Sequence, residues 1–293
     1  MADIRGLTLA DAGYPPRLRE IHDPPSPLYV RGALPDATRP HVAVVGTRAP
    51  TRYGHDVVES IVTPLARAGV VIVSGLAFGI DALAHRAALE AGGTTLAVLG
   101  SRLEDEQIYP ATNRPLAARI LACGGALMGE LDAESAIGSF NFPRRNRIIA
   151  GLCQAVLIVE AAKKSGSLIT ARCAIDEGRD VMAVPGPITG ALSEGPNRLI
   201  KSGAIPILSA EDVLEALKMP SVIQKSEPTL FVADTPEEEA LVKALADATL
   251  HADELTRATG LGAALVGSTL TLLEMKGAVK NAGGRYWQRI LNP

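Results

Sequence analysis

From His41 onward the apolar positions follow a repeating plan. Runs in which nearly every residue is apolar, "HVAVVG", "VVIVSG", "TTLAVLG", "GALMGEL", "AVLIVEA", "DVMAVPG" and "IPILS", are separated by segments of helical period such as "GHDVVESIVTPLARAG", "GIDALAHRAALEAG" and "SLITARCAIDEG". A strand that is apolar on both faces must be covered on both faces. Strands that each run on into a helix therefore predict a parallel sheet between two helical layers, an α/β fold. Many of the runs end in Gly or Ser-Gly. That places glycine where the chain leaves the carboxyl edge of the sheet, the edge at which doubly wound folds bind ligands.

The plan fails at both ends. Residues 1–40 contain seven of the 20 prolines. Proline fixes φ and removes a donor, so this stretch predicts an extended lead-in with at most one short helix. Residues 41–218 form the α/β domain. Residues 219–235, with Pro220, Pro228 and no periodicity, predict a linker. In residues 236–293, "EEEALVKALAD", "ADELTRATG" and "AALVGSTLTLLEMKG" predict three helices. "AVKNAGGRYWQRI" predicts a hairpin turning at Gly283 and Gly284. Three helices followed by a hairpin suggest a small winged helix-turn-helix domain.

Composition narrows the partners. Only 3% of residues are aromatic, so the core must be aliphatic, and a formal net charge of −3 gives the whole molecule no attraction for nucleic acid. Any polyanion must meet a local patch. Cys123, Cys153 and Cys173 stand among apolar residues without metal-ligand spacing, which predicts buried, reduced thiols and no metal site. The opening lacks the basic and apolar regions of a secretory signal, and the apolar runs are too short to cross a membrane. Both point to a cytoplasmic protein with no membrane span.

The positive charge is concentrated. Between Asn141 and Arg172 stand Arg144, Arg145, Arg147, Lys163, Lys164 and Arg172 against one acid, Glu160, a net +5 that leaves −8 for the rest of the chain. The arginines sit in "FPRRNRIIAG", with Asn146 among them, directly before apolar residues that must be buried. Such a cluster is suited to an anion. "KKSGS" then places Ser165, Gly166 and Ser167 where a strand hands over to a helix, a cradle for phosphate. A similar strand exit occurs at Gly46, Thr47 and Arg48, read either as an ordinary turn that needs glycine or as a second cradle. In "VSGLAFGIDALAH", Ser74 and Gly75 close a strand and Gly79 opens a helix on which Asp81 and His85 share a face. The expected role of that pair is structural, Asp81 charging the helix start and His85 bonding to it, because no nucleophile completes a catalytic triad. Two cradles and an arginine cluster on one sheet edge suit a groove that tracks a backbone better than a pocket for one small anion. Phe140 and Phe142 are available to stack on bases or to pack in the core. The third helix of the C-terminal segment carries no arginine and a lysine only at its end, so the winged helix is expected to contact protein or to pack against the main domain rather than read DNA.

These motifs together resemble the DNA-processing protein A (DprA/Smf) family. The resemblance lies in "VAVVGTR", "VIVSGLAFGIDALAHRAALEAGGTTLAVLG", "FPRRNRIIAGL", "VLIVEAAKKSGSLITARCAIDEGRDVMAVPG" and "GPNRLIKSGA", and it is close from His41 to Leu217. It implies an extended Rossmann-like fold and a homodimer that binds single-stranded DNA in a basic pocket without strong sequence preference. It also implies protection of strands taken up in natural transformation (competence), loading of the RecA recombinase in DNA recombination, and a binder without a cofactor rather than an enzyme. Arg48 and Lys164 are the DNA-contacting candidates by motif position, with Gly46, Gly75, Gly166 and the arginines of "RRNR" on the same edge. Two departures stand out. "GSRLEDEQIYP" brings Glu104, Asp105 and Glu106 to a loop on that edge, and "MGEL" has Gly129 where a serine is usual. The alternative within the same superfamily is a nucleoside-monophosphate phosphoribohydrolase, whose glycine-rich loop this chain lacks.

Overall fold

A computed structural model describes residues 4–132, 138–220, 233–246 and 248–289. It divides into two compact units between Ile223 and Gln224. In the first, the elements in chain order are β1 (Ile4–Leu7), α1 (Pro16–Arg19), β2 (Leu28–Gly32), β3 (His41–Val45), α2 (Arg52–Arg67), β4 (Val71–Ser74), α3 (Ile80–Glu90), β5 (Thr95–Val98), α4 (Arg114–Ala122), β6 (Ala126–Gly129), α5 (Asn141–Leu152), β7 (Ala155–Ile158), α6 (Ser167–Asp176), β8 (Asp180–Ala183), α7 (Glu194–Lys201), β9 (Ile205–Pro206) and α8 (Ala210–Ala216). The nine strands form one sheet in the order β1-β2-β6-β5-β4-β3-β7-β8-β9. From β6 to β9 every pairing is parallel. The seven apolar runs are these seven strands.

The pleat assigns the strand residues to two cores. Ala43 and Val45 of β3, with Val73, Val98 and Val156, pack under α5 and α6. Val42 and Val44, with Ile72 and Leu157, pack under α2, α3 and α8. Consecutive residues point to opposite faces, so an uninterrupted apolar strand is what two covering layers require.

The lead-in belongs to this body and does not stand apart from it. Its one helix, α1, is a single turn. Its extended parts are β1 and β2, added antiparallel at the edge of the sheet through β2 and β6. Tyr14, Leu18, Ile21, Leu28 and Val30 reach the same core as β3 and α5. The prolines terminate short elements, and the aliphatic residues between them supply the packing. The thiols differ from expectation in one respect. Cys153 is buried, Cys173 is half-buried, and Cys123 is exposed where α4 ends.

The second unit comprises α9 (Pro236–Ala244), β10 (Leu250–His251), α10 (Ala252–Thr259), α11 (Ala263–Met275), β11 (Val279–Gly283) and β12 (Tyr286–Arg289). Leu241, Leu255, Val266, Leu270, Leu273, Val279 and Trp287 form its own core. The expected three helices and hairpin are present, with Gly284 and Arg285 in the turn. β10 adds a third strand beside β12. Two residues were too few to register in the hydrophobic pattern. Most of the expected linker, residues 221–232, lies outside the described residues.

Candidate functional site

The arginine cluster lies on a helix, and this decides what each arginine does. α5 begins with Asn-Phe-Pro. Pro143 falls in its first turn, where a missing N–H costs no helical hydrogen bond, and Ile148, Ile149 and Leu152 anchor the other end in the core. Residues three apart share a side of a helix, whereas neighbours diverge by about 100°. Arg144 and Arg147 accordingly meet the same acid, Glu130, just beyond β6. Arg147 grips it with two bonds of 2.8 and 3.2 Å and holds Asp23 at 2.9 Å. Arg144, largely exposed, lies 3.4 Å from Glu130. Arg145 points the other way, into the carboxyl edge of the sheet. It is 5% exposed, and its Nη1 donates to the carbonyl of Gly75 at 2.8 Å and to that of Val98. Its Nε has no partner.

Arg145 forms part of the wall of a cavity of about 440 Å³. The cavity also collects Gly46 and Arg48 from the loop after β3, Asn146 and Phe142 from α5, Ser165, Gly166 and Ser167 from the start of α6, and Tyr109 from the loop after β5. Lys163 and Lys164 are exposed in the loop that leads to Ser165. Tyr109 and Phe142 are in contact, with ring centroids 5.4 Å apart. Arg48 is exposed. Burial draws the Arg145 guanidinium down to about 10, with Asp81 nearby opposing the shift and Arg48 adding to it. Two guanidinium groups thus face one cavity, and the Asp81 carboxyl lies in the same wall without forming an ion pair with either among the described residues.

The other expected site residues serve packing. The α2 N-terminus is filled by the chain itself. Glu160, just beyond β7, is buried, and it accepts from the Thr51 amide at 2.9 Å and from the Thr51 hydroxyl at 2.6 Å. A Cβ on Gly54 would lie 2.3 Å from the same carboxylate. The glycine near the start of α2 therefore admits an internal anion. Thr47 gives its amide to the Glu160 carbonyl at 2.7 Å and its carbonyl to the Ile80 amide at 3.1 Å. Gly79, at φ +74°, lets α3 start against that loop, since a Cβ there would stand 2.3 Å from the Thr47 carbonyl. Ser74 is fully buried and bonds the Val44 carbonyl at 2.7 Å. Gly75 leaves room for Arg145 and Asp81, each 2.6 Å from where its Cβ would be. Thr47, Ser74, Gly75 and Gly79 are absent from the wall of the 440 Å³ cavity, and Arg144 and Arg147 are drawn to Glu130 instead. A glycine read from sequence signals close approach without saying what approaches.

Asp81 does sit in the first turn of α3, accepting from the Gly75 amide at 3.0 Å. Burial raises its carboxyl, with the Arg145 charge as the main opposing influence. His85 does not bond to it. Its Nδ1 meets the Thr95 hydroxyl at 2.7 Å. The acidic loop is also partly neutralised, because Asp105 is gripped by the buried Arg31 at 2.6 Å, which holds its carboxyl below the usual range. Sequence reasoning did not find Tyr109, Ile169 or Thr170 in the cavity wall. Their position follows from a loop and a helix start that meet only in the folded chain.

The same architecture occurs in solved proteins. The family model of DNA recombination-mediator protein A matches residues 5–218, and the DprA winged helix domain matches residues 225–285. The chain belongs to the DNA recombination-mediator protein A family. The DNA processing protein DprA of Streptococcus pneumoniae is 45% identical over 71% of this chain and 72% of its own. Protein Smf of Escherichia coli is 49% identical over 70% of this chain, a match spanning 54% of that protein's length. The X-ray structure of the Streptococcus pneumoniae protein superimposes with a TM-score of 0.67, covering 73% of this chain and 74% of that one. The Helicobacter pylori protein, described for its single-stranded DNA binding mode, superimposes with a TM-score of 0.64 at 28% identity, covering 74% of this chain and 98% of that one. Among the described residues of this family member, no single helix is long and apolar enough to cross a membrane.

Proposed function

We propose that this family member binds single-stranded DNA along the carboxyl edge of its sheet, protects it, and assists loading of the RecA recombinase. The observation that carries this reading is the convergence of Arg48, Arg145 and the open start of α6 on one cavity, with Lys163 and Lys164 exposed beside it. Phosphate neutralisation would supply most of the affinity, so sequence preference would be slight. Phe78, Tyr109 and Phe140 are exposed around the same edge, and faces of this kind suit unpaired bases, which can leave a single strand to stack. The working unit is a homodimer in the cytoplasm, as the family resemblance implies. The role is that of a binder. A hydrolase acting on a nucleotide phosphate at the Gly46 loop fits less well, because Glu160 already fills the α2 N-terminus with both oxygens engaged by Thr51.

Replacing Arg48 and Lys164 together by alanine tests the reading. Both side chains are exposed, so the fold should persist. Loss of two phosphate contacts should lower the slope of log affinity against log salt by about 1.4 on single strands. A mobility-shift series from low to high salt measures it. An unchanged slope would remove this edge as the binding surface.

A further inference from the structure

A second cavity lies at the amino edge of the parallel sheet, where β3 and β5 begin and α5 ends, opposite the edge proposed for strand binding. Its volume is about 300 Å³, at the small end of the range for sites that take small molecules. Much of its wall comes from the lead-in. Pro15, Pro16 and Pro35 fix φ at three wall positions, so the cavity is largely preformed. Tyr14, Leu34, Leu96 and Leu152 give it an apolar lining. The Tyr14 hydroxyl is tied to the Pro25 carbonyl at 2.7 Å, so Tyr14 presents no free polar group.

Two polar side chains interrupt this lining. His41 opens β3, on the side of the pleat taken by Ala43 and Val45, toward the core under α5. It is 7% exposed and lines the cavity. Its Nδ1 meets the Arg39 carbonyl at 2.8 Å. A carbonyl only accepts, so Nδ1 carries the proton. Burial holds the imidazole below its ordinary range; the Arg39 carbonyl bond opposes the shift, and the Arg17 and Arg39 charges add to it. The ring is therefore neutral, and Nε2 is a lone pair without a hydrogen-bond partner among the described residues. Unlike Nε2 of His85, it is not sealed from solvent. Arg17 is half-buried in the same wall. Its charge acts on His41 and on Cys153, and its guanidinium has no carboxylate within ion-pair distance among the described residues. Among the described residues no acid lines the cavity. The acids beside the wall in sequence are engaged elsewhere, Asp11 with the amide and hydroxyl of Thr8 and Asp36 with those of Thr38.

A cation without a counter-charge and an acceptor without a donor, set in an apolar wall, define their complement. One planar guanidinium matches one carboxylate rather than the dianion of a phosphate monoester. The neutral imidazole matches a hydroxyl or amide N–H. An ammonium would meet a wall with a cation and no acid. We propose that this cavity binds a small monocarboxylate with an apolar body and a neutral hydrogen-bond donor, its carboxylate on Arg17 and its donor at Nε2 of His41. The site is separate from the proposed strand-binding edge and does not depend on that reading.

The probe is 3-phenyllactate, which has all three features. It is compared with 3-phenyl-1,2-propanediol, which lacks the carboxylate, and with phenylalanine, which puts an ammonium in place of the hydroxyl. Each is titrated into the full chain, isotope-labelled in its histidine rings, and followed by NMR. Phenyllactate should shift the His41 ring signals saturably and bind roughly tenfold tighter than either comparison compound, the worth of one charge-assisted contact. Arg17→Gln removes the charge of a side chain that has no partner in the fold. The melting temperature and single-strand binding should therefore hold, while the advantage of phenyllactate over the diol falls toward one. Equal binding of phenyllactate and the diol, or an advantage that survives Arg17→Gln, overturns the carboxylate site. Phenylalanine binding as tightly as phenyllactate overturns the neutral donor. Saturable binding that leaves the His41 signals unmoved overturns the assignment to this cavity, and no binding of phenyllactate at millimolar concentration overturns the proposal. Loss of single-strand binding in Arg17→Gln, with the fold intact, overturns the separation of the two sites.

Discussion

Arg145 and Arg147 are two residues apart, on one helix, and have opposite fates. The helical rotation carries one to the wall of the cavity and the other to two carboxylates. Replacing Arg147 should therefore cost stability more than binding, whereas Arg48 should show the reverse. His85 makes a sharper case. The Thr95 hydroxyl donates to the Ile72 carbonyl at 2.7 Å, so it must accept from Nδ1–H, and Nε2 is left as a bare, buried lone pair. Burial takes the imidazole down to about 3, with the Arg145 charge adding to the shift. Below pH 6.5 the unfolded chain takes up a proton that the folded chain refuses, so stability is complete above that pH and falls as acid is added. His85 should make the protein about 3 kcal/mol less stable at pH 4 than at pH 7. Burial of His41 acts in the same direction, and the raised carboxyl of Asp81 acts against both. Urea midpoints across that range should flatten in His85→Gln, and equal slopes in the two proteins would exclude His85 as the cause.

At the scale of elements, the helix starts are the decisive features. α2 and α3 each begin beside a glycine that brings chain to chain, and each has its N-terminal charge answered from within the molecule. Gly54→Ala should cost about 2 kcal/mol or more, because the new methyl group falls on the buried Glu160 carboxylate. The same change in a Glu160→Ala background should cost much less, since the clash is gone. Thermal unfolding of the four proteins in the cycle checks this, and additive losses would count against it. The contrast with α6 explains why glycine at a strand exit was only half informative. Gly46, Gly54 and Gly166 look alike in sequence, yet one approaches Ile80, one admits Glu160, and one opens on space.

For the molecule as a whole, a net charge of −3 gives no general attraction for DNA, so the proposed association should depend on a local basic edge and be sensitive to salt. On α11 the exposed side chains include Leu265, Leu272 and Met275, without an arginine. Removing residues 236–293 should leave single-strand affinity within about twofold, given that the first unit has its own complete cores. Capture of RecA from solution should weaken in the same truncation. A large loss of strand affinity would assign DNA contact to the winged helix instead.

The sequence alone determined the layered α/β plan, the position of each parallel strand and the three-helix unit with its hairpin. These rest on local periodicity, and strands buried on both faces leave a signal that needs no partner to interpret. It also located the +5 segment and the serine-glycine start of α6. Only the tertiary structure decided which charges are free. Whether an arginine faces a cavity or a carboxylate depends on residues far away in the chain, such as Asp23 and Glu130 for Arg147, or Gly75 and Val98 for Arg145. Charge compensation acts through space, and distance through space is what the order of residues does not contain.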